Sequence, residues 1–137
     1  MSLTRSSLIA WNARLFAFVF AGLVGGAALA APTSAPVRAE IDALLSKLQS
    51  SGCEFNRNGT WYSGADAKTH LLRKLESIEG KVSVQSTEQF IELAAAKSST
   101  SGKPYQVKCG TEASVESHQW LNRQLAALRA TGAKNKP

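Results

Sequence analysis

The chain has 137 residues, with 16 Lys and Arg against 10 Asp and Glu, and two cysteines. Residues 31–137 suffice for one domain with a modest core and are too few for several. The formal net charge of +6 falls by two without Arg5 and Arg14, and no run of four or more Lys/Arg occurs. The basicity therefore reads as a solvated surface, and no nucleic-acid partner is expected.

In chain order, the first segment reads as a targeting signal. Arg5 and Arg14 are the only charges before Arg38, an apolar run spans Leu15 to Val24, and Gly25 to Pro32 is built mostly of small residues. Ala28-x-Ala30 is the small-x-small pattern that signal peptidase accepts, so residues 1–30 are expected to be a signal peptide cleaved after Ala30. The competing reading is a membrane anchor. The run from Leu15 to Ala31 is at the short end for a span and is diluted by Gly and Ala. No cysteine stands at the exit, which argues against a lipid anchor. After cleavage no stable membrane insertion is expected.

Val37, Ile41, Leu44, Leu45 and Leu48 recur at helical spacing, predicting a helix over 35–50 with Ser34 as N-cap. Asn58-Gly59 lies between residues of high strand propensity. Both tolerate the positive φ angles of tight hairpin turns, so strands are expected at about 53–56 and 60–62. Ser63 with Asp66 forms a capping-box variant opening a second helix that ends at Gly80 and buries Ala67, Leu71, Leu75 and Ile78. Ser86 with Gln89 repeats that logic for a third helix over 87–97. Ser98–Lys103 is a polar loop, and Tyr105–Cys109 a strand. A fourth helix over about 114–130 buries Leu121, Leu125 and Leu128 and stops at Gly132. Residues 131–137, with Lys134 and Lys136, read as a disordered basic tail.

This order predicts an α+β fold, with about four helices packed on a small antiparallel sheet (the hairpin plus one strand), one domain over 31–130. Cys53 and Cys109 each flank a strand and most simply form one disulfide. Closing a loop of 55 intervening residues is worth about 4 kcal/mol in the chain-entropy model. The alternatives are two free thiols or metal ligands. Neither cysteine has Cys-x-x-Cys or Cys-x-His spacing, so no metal is expected, and no motif calls for a cofactor.

No enzyme motif stands out. Thr100-Ser101-Gly102-Lys103 resembles part of a phosphate loop, but Lys97 and Pro104 occupy positions that need Gly and Ser or Thr. His70 sits at the margin of the second helix's apolar stripe, between Asp66 and Lys74 at four-residue spacing. It reads either as a titrating functional group or as a boundary histidine bonded to Asp66 or to the hairpin. His118 reads as a packed rim residue. Arg57, in the turn, is placed to meet a carboxylate or phosphate, or to pack over Trp61 or Tyr62. Strand alternation sends Trp61 and Tyr62 to opposite faces. Asn58-Gly59-Thr60 fits the N-glycosylation pattern and is read as turn chemistry.

With Cys53-x-Phe55-x-Arg57-Asn58-Gly59, Ala67-x-x-His70-Leu71-x-x-Lys74, Phe90-Ile91, Ser98-x-x-Ser101-Gly102-x-x-Tyr105 and Trp120-Leu121, the chain resembles the YfeK-like family. These are small uncharacterised exported proteins of Gram-negative bacteria, and the resemblance covers about 40–128. It implies a periplasmic location and a single domain, and it brings no reaction with it. It also draws together Arg57, His70, Ser98 and Ser101, as a site or as a buried hydrogen-bond network.

The leading expectation is a periplasmic, non-catalytic binding or interaction module whose partner is another protein or a small anionic ligand. Its face is assigned to Arg57, His70, Ser98, Ser101, Lys103 and Tyr105, made positive by Arg57, Lys74 and Lys103. A second reading is a small hydrolase using His70 with Ser98, Ser101 or an acid. A third is an inhibitor or envelope-stress protein that engages a partner through the hairpin tip.

Overall fold

The computed structural model describes Gly26 and residues 29–135. The expected signal peptide, apart from Gly26, Leu29 and Ala30, lies outside the described residues, as do Lys136 and Pro137.

Helix α1 (Ala35–Ser50) opens with Pro36 in its first turn, where a missing N–H costs nothing. Its apolar spacing buries Ile41, Leu44, Leu45 and Leu48. Strands β1 (Glu54–Arg57) and β2 (Thr60–Tyr62) form the hairpin. Asn58 at φ 53° and Gly59 at φ 88° supply the paired positive angles its turn requires. Helix α2 (Gly64–Glu79) follows at once: Ser63 Oγ accepts from the Asp66 N–H and donates to the Asp66 carboxylate. Gly64 lies against α1, where a Cβ would come within 2.5 Å of the Leu48 carbonyl oxygen. Helices α1 and α2 are therefore packed backbone to backbone at this point.

Helix α3 (Thr87–Phe90), capped by Ser86 as expected, continues into a π-helical turn over Ile91–Ala95. The sequence predicts one α-helix over 87–97, and the structure widens it. The carbonyls at its end have partners outside the helix. Ala95 O accepts from the Ser117 hydroxyl, Ala96 O from the Tyr105 N–H, and Lys97 O from the Lys74 ammonium. These tertiary bonds satisfy carbonyls that a helix end leaves without an intrahelical partner.

Strand β3 (Gln106–Lys108) pairs with β1, and β4 (Val115–Glu116) pairs with β3, giving an antiparallel sheet ordered β2-β1-β3-β4. Strand β4 falls within the span read as the start of the fourth helix. Val115 sits opposite Val107, and the Ser117 N–H bonds Tyr105 O, so sheet pairing holds these residues extended. Helix α4 (Ser117–Lys134) begins only then and runs through Gly132, two residues past the expected stop. Residues 131–134 of the expected tail are thus helical.

The register aligns Tyr62, Phe55, Val107 and Val115 in one row across the sheet. Helices cover this row, with Trp120 edge-on to Phe55 at 5.6 Å. The opposite row, Trp61, Asn56, Gln106 and Glu116, faces solvent, and Trp61 is 39% exposed. Trp61 and Tyr62 therefore diverge as strand alternation requires. Leu44, Leu48, Leu75, Phe90, Ile91 and Leu121 form the centre of the core. Cys53 and Cys109 are disulfide-bonded with Cα atoms 4.3 Å apart, as directly opposed antiparallel residues can be. Among the described residues no helix is long and apolar enough to cross a membrane.

At the pole away from the hairpin, Arg129 of α4 binds Glu40 of α1 and Glu88 of α3, and Glu40 also accepts from the buried Thr87 hydroxyl. Arg129 holds both carboxylates below their usual range.

Candidate functional site

Arg57 lies two residues beyond Phe55 and shares its helix-covered face. Tyr105 lies two residues before Val107 and shares that face on the neighbouring strand. Asn56 pairs with Gln106, so Arg57 and Tyr105 stand across from each other just past the paired segment. Helix α2, leaving the hairpin without a linker, passes over both and brings His70 between them.

The Arg57 guanidinium donates to His70 Nδ1 at 2.6 Å, and His70 Nε2 meets Tyr105 Oη at 3.1 Å. A guanidinium can only donate, so Nδ1 is the acceptor and the ring proton sits on Nε2, donated to Tyr105. Burial pushes the His70 pKa down to about 4, helped by the positive charges of Arg57, Lys74 and Arg73, so the ring is neutral at pH 7. The expected bond from His70 to Asp66 is not made, because the Asp66 side chain is held by Ser63. The tie to the hairpin is made instead, through Arg57.

Arg57 also donates to Tyr62 Oη at 3.3 Å and lies 4.9 Å over the Tyr62 ring. Lys74 reaches Lys97 O at 3.0 Å and Tyr105 Oη at 3.4 Å, with its ammonium 5.0 Å from the Tyr105 ring centroid. A cation at the end of the π-helical turn is favourably placed against its carbonyls. Burial, then Arg57, lowers the Lys74 pKa, and burial raises that of Tyr105.

Arg57, Tyr62, His70 and Tyr105 border an open cavity of about 370 Å³. Its polar lining includes Arg57, Tyr62, Asp66, His70, Arg73 and Tyr105, and its apolar wall is Leu48, Phe55, Ala67, Leu71, Ala95 and Leu121. Arg57 is half-buried and makes no ion pair among the described residues.

Of the face expected from the sequence, Arg57, His70 and Tyr105 come together. Ser98 and Ser101 do not line the cavity: Asn58 Nδ2 donates to Ser98 Oγ at 3.3 Å, and Ser101 Oγ donates to Asn58 Oδ1. They brace the hairpin turn. Lys103 is exposed and lies outside the cavity lining. His118 stands 3.6 Å from the Glu116 carboxylate and takes no part. Among the described residues no cluster of His, Cys, Asp or Glu could hold a metal.

The sequence reading did not single out Tyr62, Arg73 or the apolar wall as site residues. A signal for Arg73 was present: Asp66, Thr69, His70 and Arg73 form a polar stripe at helical spacing beside the apolar one.

A family model described as a family of unknown function (DUF5329) matches residues 35–129. A curated relative named "Uncharacterized protein YfeK", from Salmonella typhimurium, is 37% identical over 76 residues, 55% of this chain and 62% of the relative. The match thus spans less than two thirds of that relative. It bears out the resemblance drawn from the motifs. No solved structure matches the chain.

Proposed function

The chain belongs to this family of unknown function, and we propose that it is an exported, non-catalytic binding protein that captures a small anion at Arg57. One observation carries the reading. Arg57 is a half-buried guanidinium at a cavity, hydrogen-bonded to neutral partners and ion-paired with no carboxylate among the described residues. A partly desolvated charge is stabilised by a counter-charge, and a ligand anion would supply it. Arg73 and Lys74 add positive potential, and the neutral His70 adds none. The disulfide and the N-terminal apolar run support export to an oxidising compartment.

The hydrolase reading finds less support. Both His70 nitrogens are engaged, by Arg57 and Tyr105. Ser98 and Ser101 bond Asn58, and Ser117 donates to Ala95 O. A partner docking on the hairpin tip would meet Asn58 already bonded to the Ser98–Lys103 loop.

The test is acetate titration of the protein at constant ionic strength, with chloride as the balancing anion, followed by NMR of the Arg57 side chain. Acetate should perturb the Arg57 Nε–H resonance and those of its neighbours His70 and Tyr62, and R57Q should lose the His70 and Tyr62 responses while keeping its fold by circular dichroism. Equal responses in both proteins, or none in the wild type, would refute capture at Arg57.

A further inference from the structure

We infer that the anion taken at Arg57 carries an apolar tail: the cavity fits a medium-length alkyl carboxylate, with its head on Arg57 and its chain along Leu48, Leu71 and Leu121. This rests on the proposal that Arg57 binds an anion and adds the chemical class.

The head group follows from charge and shape. Lys74 is committed to the Lys97 carbonyl and to Tyr105. Arg73 and Asp66 both line the cavity and offset each other in charge. His70 faces Arg57 with an acceptor nitrogen. On the cavity lining, Arg57 and Arg73 against Asp66 leave one net positive charge, with Lys74 outside the lining, which suits a monoanion better than a phosphate dianion. A guanidinium's planar fork matches a carboxylate, and two of its nitrogens are only partly used by His70 and Tyr62. Tyr105 offers a second donor. Its oxygen already receives His70 Nε2–H and the Lys74 ammonium, which fill its two lone pairs and leave its own proton to give.

The tail follows from the wall. Six of the lining residues are Leu, Phe or Ala, each buried against the core yet bordering the opening. An inorganic or two-carbon anion would leave this wall wet. At roughly 30 Å³ per water-sized group, a volume of 370 Å³ holds about twelve such groups. That is the size of octanoate or decanoate.

The experiment is calorimetric titration of the purified protein with hexanoate, octanoate, decanoate and dodecanoate below their micellar concentrations, beside octanol and octylamine. Acetate is followed by NMR. Affinity should rise about fourfold per added methylene up to decanoate and then level off. Octanol and octylamine should bind at least tenfold more weakly than octanoate. A67L, which adds bulk to the apolar wall, should shift the preferred chain shorter by about three carbons while acetate still binds. Should A67L fail to fold, the wild-type series alone decides. Acetate binding with no chain-length dependence would overturn the tail and leave anion capture standing. No binding by any carboxylate would overturn both, and octanol matching octanoate would overturn the carboxylate head of the tailed ligand, while the acetate response at Arg57 decides whether anion capture stands.

Discussion

Replacing His70 by Gln should remove a specific part of this protein's acid sensitivity. Gln offers an amide oxygen to Arg57 and an N–H to Tyr105, so it can reproduce both bonds of the neutral ring without titrating. The native ring has a pKa of about 4, against 6.5 for an unperturbed histidine. Because the folded-state value is depressed, the unfolded chain takes up a proton on this residue at a higher pH than the native protein does. The stability associated with the neutral ring is complete above pH 6.5 and is lost progressively as pH falls through about 4. Fully expressed, that difference is about 3 kcal/mol. The ring borders an open cavity, and solvent screening reduces the expected value to about 1–2 kcal/mol.

The charged and titratable groups facing the ring are Arg57 from β1, Arg73 and Lys74 from its own helix, and Tyr105 from the segment before β3. These groups are common to both proteins, so the difference between variants isolates His70. Urea unfolding at several pH values from 7 to about 4.5 should show the wild type losing about 1–2 kcal/mol more than H70Q. The His70 ring resonances should titrate with a midpoint near 4. Parallel stability profiles, or a midpoint near 6.5, would refute the account of a neutral ring held between Arg57 and Tyr105.

Gly64→Ala should cost about 2–3 kcal/mol in urea unfolding, because its Cβ would meet the Leu48 carbonyl oxygen at 2.5 Å and two helices must part to admit it. Arg129→Ala should cost about 1 kcal/mol at low salt and less at high salt, since the bridge to Glu40 and Glu88 is largely solvent-exposed. Both carboxylates are held low by Arg129, so stability from this bridge is present above their unfolded pKa and lost on acidification below it. R129A should therefore flatten the acid limb below pH 4.5, a second readout by denaturant titration. Replacing Cys53 and Cys109 together by Ala should cost up to about 4 kcal/mol, and thiol labelling of the unreduced, denatured wild type should find no free cysteine. On the proposed export, mass spectrometry of protein recovered from the periplasmic fraction should give an N-terminus at Ala31; an intact Met1 would refute cleavage.

The helices were legible because capping and apolar period agree. Ser63 with Asp66 and Ser86 with Gln89 mark starts that the structure uses. The Asn58-Gly59 turn was equally legible, its demand for positive φ being local. Three features were not. The π-helical turn has no local signal in residues 87–97, and the carbonyls of Ala95, Ala96 and Lys97 at and just past its end bond Ser117, Tyr105 and Lys74, which are distant in sequence. Strand β4 is two residues long, and its extended state comes from pairing with β3 rather than from its own propensity. Gly132 does not stop α4, since nothing at that position requires a left-handed angle. The same distinction divides the candidate site. The polar loop residues Ser98 and Ser101 looked like ligand groups because they lie near the turn, but their partner is Asn58. The sequence leaves open a ligand site or a hydrogen-bond network at these serines, and their bonds to Asn58 are of the second kind.

The pairing of Arg57 with Tyr105 could have been reached from the sequence by one further step. In an antiparallel pair, moving along one strand is matched by moving back along the other, so one fixed pair sets every other. A disulfide across two such strands is a fixed pair. Four residues on from Cys53 is Arg57, and four back from Cys109 is Tyr105, the register found by the pairing of Phe55 with Val107. Even spacing from the core residues Phe55 and Val107 also puts both side chains on the covered face. The bridge thus fixes the register that sets Arg57 beside His70 and Tyr105, besides restricting the unfolded chain. Its removal should consequently weaken ligand capture at Arg57 in protein that is still folded, beyond what lost stability alone accounts for. Carboxylate titration of the Cys-free variant, at a temperature where circular dichroism shows it fully folded, measures this. Undiminished affinity there would show that packing alone holds the register.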